Sequence, residues 1–211
     1  MIDIHCLKYS RAVRVVWLME NLGQPYNLIE YPRTEAFRAP PELSEVHDLG
    51  KSPVIKDGDL TLAESGTILR YLAHKHGDTS HQPNAGTQDF WRHEELLDYV
   101  ESSFADAAMG VLLPAMTGDA PSREAKHRFQ MHADHLMRDL PPEGLLFAER
   151  VMLADIQFSY LLANLSSLDA LSAHPRLERY WSDMQRQPGY LAAIANAGPM
   201  APEKSTILEN H

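Results

Sequence analysis

The chain has 211 residues, 44% hydrophobic and 23% charged, a globular balance that excludes the polar, highly charged composition of a disordered chain. Its 29 acidic residues outnumber 19 basic ones, and the net charge of -10 argues against a phosphate backbone or an anionic membrane as general partner. No apolar run nears the roughly 18–20 residues that span a bilayer, the start "MIDIHCLKYSR" lacks a basic-then-apolar leader layout, and one cysteine makes no internal disulfide, so a cytoplasmic location is expected.

"MIDIHCL" reads as a strand with Ile2, Ile4 and Cys6 on one face by period two. "AVRVVWLMENL", residues 12–22, is apolar on nearly every side and predicts a helix covered on two sides, stopped at Gly23. "PYNLIEY" predicts a second strand, and residues 31–48 a proline-bearing loop with one short helical turn. Residues 53–55 and 60–62 are short apolar runs separated by "KDGD", the signature of an antiparallel hairpin, because Asp-Gly tolerates positive φ. "ESGTILRYLAHKHG" then predicts a helix ending at Gly77. The order is β-α-β followed by β-β-α, a compact α/β unit.

"DTSHQPNAGT" is the best linker candidate, with a boundary near Thr87. Beyond it the strand pattern disappears, and helices are expected over residues 88–113, 122–140, 153–168, 175–186 and 189–197. The tail "PMAPEKSTILENH" reads as irregular packing over a surface.

Chemistry-bearing groups cluster first where the opening strand meets its helix: Cys6, Tyr9 and Ser10. Cys6 falls on the strand's apolar face and reads as a small core side chain, while Ser10 is a natural helix cap. Pro53 begins a strand without an N–H for the ladder, which fits an edge or irregular position. In "AESG", Glu64 and Ser65 stand at a helix start, where they suit capping and the helix dipole. His132 and His135 share a helix face, but no HExxH and no cysteine or carboxylate set accompanies them, so no metal site is expected.

The pieces "YSRAVRVVWLMENLGQPY", "LGKSPVIKDGDLTLAESGTILRYLAHKHG" and "LADIQFSYLLANL", in this order, resemble the soluble glutathione transferases, and the "SR" element resembles serine-type bacterial-like members. The resemblance implies an α/β thioredoxin-like N-terminal domain (residues 1–79) that binds glutathione, and an all-α C-terminal domain (residues 87–211) that completes the electrophile site. It implies a homodimer acting on glutathione and a small hydrophobic electrophile, with glutathione as co-substrate and no tightly bound cofactor. Ser10, with Tyr9 as the alternative, would stabilise the glutathione thiolate. A cis Ser52–Pro53 bond would turn the Ser52 backbone toward the cysteinyl part, with Lys51 beside a carboxylate. Glu64 and Ser65 would grip the γ-glutamyl end, and Arg33 or Arg38 would lie near the glycine carboxylate. Arg11 and Arg14 would add positive field or pair at the surface.

Tyr99, Phe104 and Met109, with Met116, are pocket candidates on the long first helix of the second domain, although such a stripe also suits a core. Two departures stand out. "HDLGK" replaces the Asn-Pro-x-Gly-Lys of many relatives, and Met152 stands where a capping box before "LADI" begins with Ser or Thr. The expected activity is glutathione transfer to an electrophile. The alternatives are glutathione-dependent peroxide or disulfide reduction, and a binding module that keeps the fold without the chemistry.

Overall fold

The computed structural model describes residues 1–147 and 150–209. They form two compact units, one of residues 1–79 with 187–201 and one of residues 80–186 with 202–209.

The first unit opens with β1 (Ile2–Leu7), α1 (Ala12–Leu22) and β2 (Tyr26–Tyr31). Ile2, Ile4 and Cys6 are buried, and α1 is buried without a break from Ala12 to Met19, as its nearly uniform apolar surface requires. The helix ends because Gly23 adopts φ +61° and returns its N–H to Glu20 O at 3.2 Å. After α2 (Glu42–Val46), the strands β3 (Val54–Asp57) and β4 (Leu60–Ala63) form the expected hairpin, and α3 (Ser65–Lys75) closes the segment. The sheet order is β2-β1-β3-β4, with β1 and β2 parallel and the other pairs antiparallel. The parallel pair needs a crossover, which α1 supplies, whereas β3 and β4 need only the tight turn at Gly58, φ +60°.

The second unit is helical: α4 (Gln88–Tyr99), a π-helical turn (Val100–Phe104), α5 (Ala105–Met116), α6 (Arg123–Asp139), α7 (Leu153–Ser167) and α8 (Pro175–Gln185). Thr87 caps α4 by accepting Phe90 N–H at 3.2 Å, and Ser122 caps α6 by accepting Ala125 N–H at 3.1 Å. The helix expected over residues 88–113 is thus longer, and it changes phase in a π turn that buries Val100 and Phe104. The tail differs as well. Residues 204–209 form a short helix, α10 (Lys204–Glu209), where Lys204 Nζ meets Asp169 Oδ2 at 2.8 Å. Residues 210 and 211 of the expected irregular tail lie outside the described residues.

The start of α7 shows how the missing Ser or Thr at residue 152 is offset. Asp155, fully buried, accepts Met152 N–H at 2.8 Å, Leu146 N–H at 3.1 Å and the Tyr180 hydroxyl at 2.6 Å. His93, buried on α4, accepts Ala154 N–H on Nε2 at 3.2 Å, and its Nδ1 lies 3.1 Å from Glu94 Oε1. This is the tautomer with the hydrogen on Nδ1, assigned from its partners. A histidine 61 residues away therefore does the work of a local cap.

The remaining helix, α9 (Pro188–Ala197), packs on α1 within the first unit. Trp17 and Tyr190 meet edge to face with centroids 5.2 Å apart, and Asn196 Nδ2 donates to Glu20 Oε1 at 2.9 Å. Tyr26 donates to the same oxygen at 2.5 Å. The approach is so close at Gly189 that a Cβ there would stand 1.7 Å from Asn21 Oδ1 and 3.1 Å from Trp17 Cδ1.

Two stability measurements follow from these contacts. Alanine ordinarily favours a helix over glycine by about 1 kcal/mol, yet Gly189→Ala should destabilise by about 1–3 kcal/mol in urea unfolding because the interface is overfilled. Adding Asn21→Ala should recover most of that loss; a Gly189→Ala variant as stable as wild type would show that the half-exposed Asn21 side chain turns aside at little cost. Burial raises the Asp155 carboxyl from 3.8 to about 6, against the opposing pull of its three donors. The fold then holds a proton that the unfolded chain has released, so this group's contribution is full below the unfolded value and is lost as pH rises through about 6, by up to about 3 kcal/mol. Asp155→Asn should not show that fall, and parallel pH profiles for the two proteins would mean that Asp155 stays ionised in the fold.

Candidate active site

Two contacts join the candidate residues of the first unit: Ser10 meets Ser52 beside β1, and Arg14 of α1 reaches Ser65 at the start of α3. Ser10 sits in the turn between β1 and α1 and is only 5% exposed. Its Oγ accepts Ala12 N–H at 3.2 Å, so it serves the start of α1, although the helix boundary residue itself is Arg11. Ser10 Oγ also lies 3.3 Å from Ser52 Oγ. The direction of that contact follows from counting hydrogens. Ser52 Oγ gives its hydrogen to His5 O at 2.8 Å and accepts Leu7 N–H at 3.0 Å. A hydroxyl has one hydrogen to give. Ser10 is therefore the donor toward Ser52, and a stronger acceptor beside it would compete for the same hydrogen.

Tyr9 is oriented differently. Its backbone is left-handed, φ +57°, and its ring stacks on Phe37 with centroids 6.0 Å apart, while Lys8 Nζ lies 5.0 Å from the Tyr9 centroid. The structure thus joins Ser10, rather than Tyr9, to Ser52. Cys6 is 2% exposed, and burial first, with the Glu30 charge second, pushes its thiol up to about 12. Such a thiol supplies no thiolate at neutral pH.

The Ser52–Pro53 peptide bond is cis, Pro53 is buried and Lys51 is exposed. The loop leading to it, where "HDLGK" departs from the more usual pattern, is closed by His47: its carbonyl accepts Gly50 N–H at 2.8 Å and its Nδ1 accepts Leu49 N–H at 3.4 Å. Gly50 takes φ +55°, and a Cβ there would stand 2.6 Å from Ser44 Oγ.

Glu64 is exposed with φ +68°, a conformation rare for a residue with a side chain, and its carbonyl accepts Ile68 N–H at 2.9 Å as α3 begins. Ser65 next to it is buried, and its Oγ accepts Arg14 Nη1 at 3.1 Å. Arg14 is fully buried inside α1. Of the two roles open to Arg11 and Arg14, positive field or surface pairing, burial leaves Arg14 the first: the guanidinium brings positive charge beneath the start of α3. The sequence signal was available, since Arg14 is the one cation within the apolar run from Ala12 to Met19.

Arg33, with Arg38 a candidate for the glycine carboxylate, donates to three backbone carbonyls. Nε donates to Lys8 O, Nη1 to Phe37 O and Nη2 to Tyr9 O, each at 2.9 Å. Arg38 is exposed.

In the second unit, Phe104 has no exposed surface and touches the rings of Tyr99, Phe129 and Phe158, with centroids 6.1, 6.1 and 5.4 Å away. It is core, which corrects its place among the pocket candidates: a side chain enclosed by rings touches no ligand. Tyr99 is half-buried, with its hydroxyl 2.7 Å from His132 Nδ1, and burial raises it to about 12. Met109 is half-buried on α5. Among the described residues no group of three or more His, Cys, Asp or Glu is gathered as a metal would require, and no helix is long and apolar enough to cross a membrane.

Comparison with known proteins places this geometry. Residues 5–74 match the family described as glutathione S-transferase, N-terminal domain. Glutathione S-transferase 1 of Saccharomyces cerevisiae is 42% identical over 87 residues, 38% of this chain and 37% of that protein. Glutathione S-transferase 3 of Schizosaccharomyces pombe is 36% identical over 103 residues, 49% of this chain and 42% of that protein. The matched part of the chain thus spans about two fifths of the length of these two relatives. The crystal structure of a glutathione S-transferase from Actinobacillus pleuropneumoniae superposes with a TM-score of 0.84 at 30% identity, over 100% of this chain and 98% of that one. With that identity sustained along both chains, and the thioredoxin-like sheet followed by helices, this protein belongs to the glutathione S-transferase family.

Proposed function

We propose that the protein is a glutathione transferase in which Ser10 stabilises the glutathione thiolate for attack on a small electrophile. One observation carries the reading. Ser10 Oγ accepts a backbone N–H and turns its own hydrogen toward a weak acceptor, Ser52 Oγ, at 3.3 Å. A sulfur anion beside it is a better acceptor, because a charged partner strengthens the bond roughly twofold. A free thiol of pKa about 8.5 is only a few per cent ionised at neutral pH. A hydroxyl hydrogen bond together with the N-terminal field of α1 favours the anion, lowering that value by about a unit or more. Ser10 needs no proton loss of its own for this.

The tripeptide would lie along residues 1–79, with Ser52 and cis Pro53 offering backbone groups to the cysteinyl part and Lys51 near a carboxylate. Glu64 would face the ammonium of the γ-glutamyl end. Its carboxylate would meet Ser65, whose hydroxyl already receives Arg14, so that buried cation strengthens the site for an anion. Residues 87–211 would complete the electrophile site, with Met109 the strongest of the sequence candidates because it is neither enclosed nor hydrogen-bonded like Phe104 and Tyr99. A cytoplasmic homodimer with glutathione as dissociable co-substrate fits this reading.

Titration of enzyme-bound glutathione by its thiolate absorbance tests it. Wild type should lower the thiol pKa, Ser10→Ala should raise it again by about one unit, tenfold less thiolate near neutrality, and Tyr9→Phe should leave it nearly unchanged. A Tyr9→Phe protein with the raised value and a Ser10→Ala protein without it would move the role to Tyr9.

A further inference from the structure

Tyr9 and Phe37 share an unusual backbone state. Their φ angles are +57° and +55°, in the left-handed region that bulky side chains rarely enter. Such residues persist where their surroundings over-determine them, and they concentrate at functional sites. Here one guanidinium serves both. Arg33 donates from Nη2 to Tyr9 O and from Nη1 to Phe37 O, and from Nε to Lys8 O, all at 2.9 Å. The Phe37 ring lies 4.7 Å from the guanidinium carbon, and the Tyr9 ring stacks on that same ring at a 20° tilt. Lys8 in turn donates its N–H to Tyr31 O at 3.0 Å, which ties the turn to the end of β2. The carbonyls of the two residues immediately before Ser10 are therefore held by one planar fork, whose donors point in fixed directions.

We infer that Arg33 is a positioning residue for thiolate formation: by fixing the Lys8 and Tyr9 carbonyls in a strained turn, it aims the Ser10 hydroxyl. The inference rests on the glutathione-transferase reading above. Three of the five N–H groups of the guanidinium are committed to backbone carbonyls, which fixes its plane against the turn. A lysine cannot replace it, since an ammonium is a point donor and does not span three carbonyls set around a plane. Phe37 contributes the surface on which both the guanidinium and Tyr9 rest, so the clamp has a second component that can be altered with Arg33 left in place.

The test compares wild type, Arg33→Lys, Phe37→Leu, Ser10→Ala and the Arg33→Lys/Ser10→Ala double variant, each saturated with glutathione. Bound-thiol pKa is read from thiolate absorbance and glutathione affinity from calorimetry. Arg33→Lys should raise the thiol pKa by about one unit, tenfold less thiolate near neutrality, and change glutathione affinity by less than about threefold. Phe37→Leu should raise the pKa by a smaller amount, and it decides the matter if Arg33→Lys does not fold. In the Ser10→Ala background Arg33→Lys should add almost nothing, because both changes act through one hydroxyl. A full additional shift there, or a wild-type pKa in Arg33→Lys or in Phe37→Leu, overturns the role. So does a more than about tenfold loss of affinity with the pKa unmoved, which would make Arg33 a carboxylate ligand. A wild-type protein that binds glutathione without lowering its thiol pKa overturns the transferase reading itself, and the role of Arg33 falls with it.

Discussion

The Ser52 hydroxyl is the point on which the geometry around Ser10 depends. It has three partners: it donates to the carbonyl of His5, accepts from the N–H of Leu7, both on β1, and receives Ser10 from the turn. With its own hydrogen committed to β1, Ser52 is an acceptor toward the turn and nothing else. One side chain thus fixes the end of the first strand, the start of the third and the direction of the Ser10 hydroxyl. The cost of leaving any of these partly buried groups without a partner is what makes the arrangement stiff.

Around that point two arginines act in opposite senses. Arg33 is half-buried and faces backbone carbonyls, whereas Arg14 is wholly buried and meets the Ser65 hydroxyl on another helix. Guanidinium suits both settings because it is weakly hydrated and its donors are preorganised. In each case the guanidinium is fixed by hydrogen bonds within the protein, to backbone carbonyls at Arg33 and to the Ser65 hydroxyl at Arg14.

Much of the first unit was legible because its signals are local. The helix stop at Gly23, the Asp57–Gly58 turn and the period-two face of Ile2, Ile4 and Cys6 each need only a few neighbouring residues to read. What escaped depends on distance along the chain. Arg14 belongs with Ser65, 51 residues on, and Arg33 with Lys8, 25 residues back. The cap for α7 comes from His93, which no local pattern ties to Ala154. The sequence around Met152 therefore reads as a weak helix start, although the backbone groups there are satisfied. Phe104 is the converse case: an aromatic at helical spacing suits a pocket or a core equally well, and only its neighbours decide.

The return of α9 to α1 sets an order in time. Residues 1–79 are synthesised before residues 80–186, but the face of α1 that carries Trp17 waits for Tyr190 and Gly189. Until α9 has been synthesised Trp17 lacks this aromatic partner, and the first unit's core is unfinished while residues 80–186 are being made. Domains ordinarily fold in the order in which they are synthesised. Here the unit that holds the sheet is completed by a helix that follows residues 80–186 in sequence, so the two units are interleaved along the chain and not strictly consecutive.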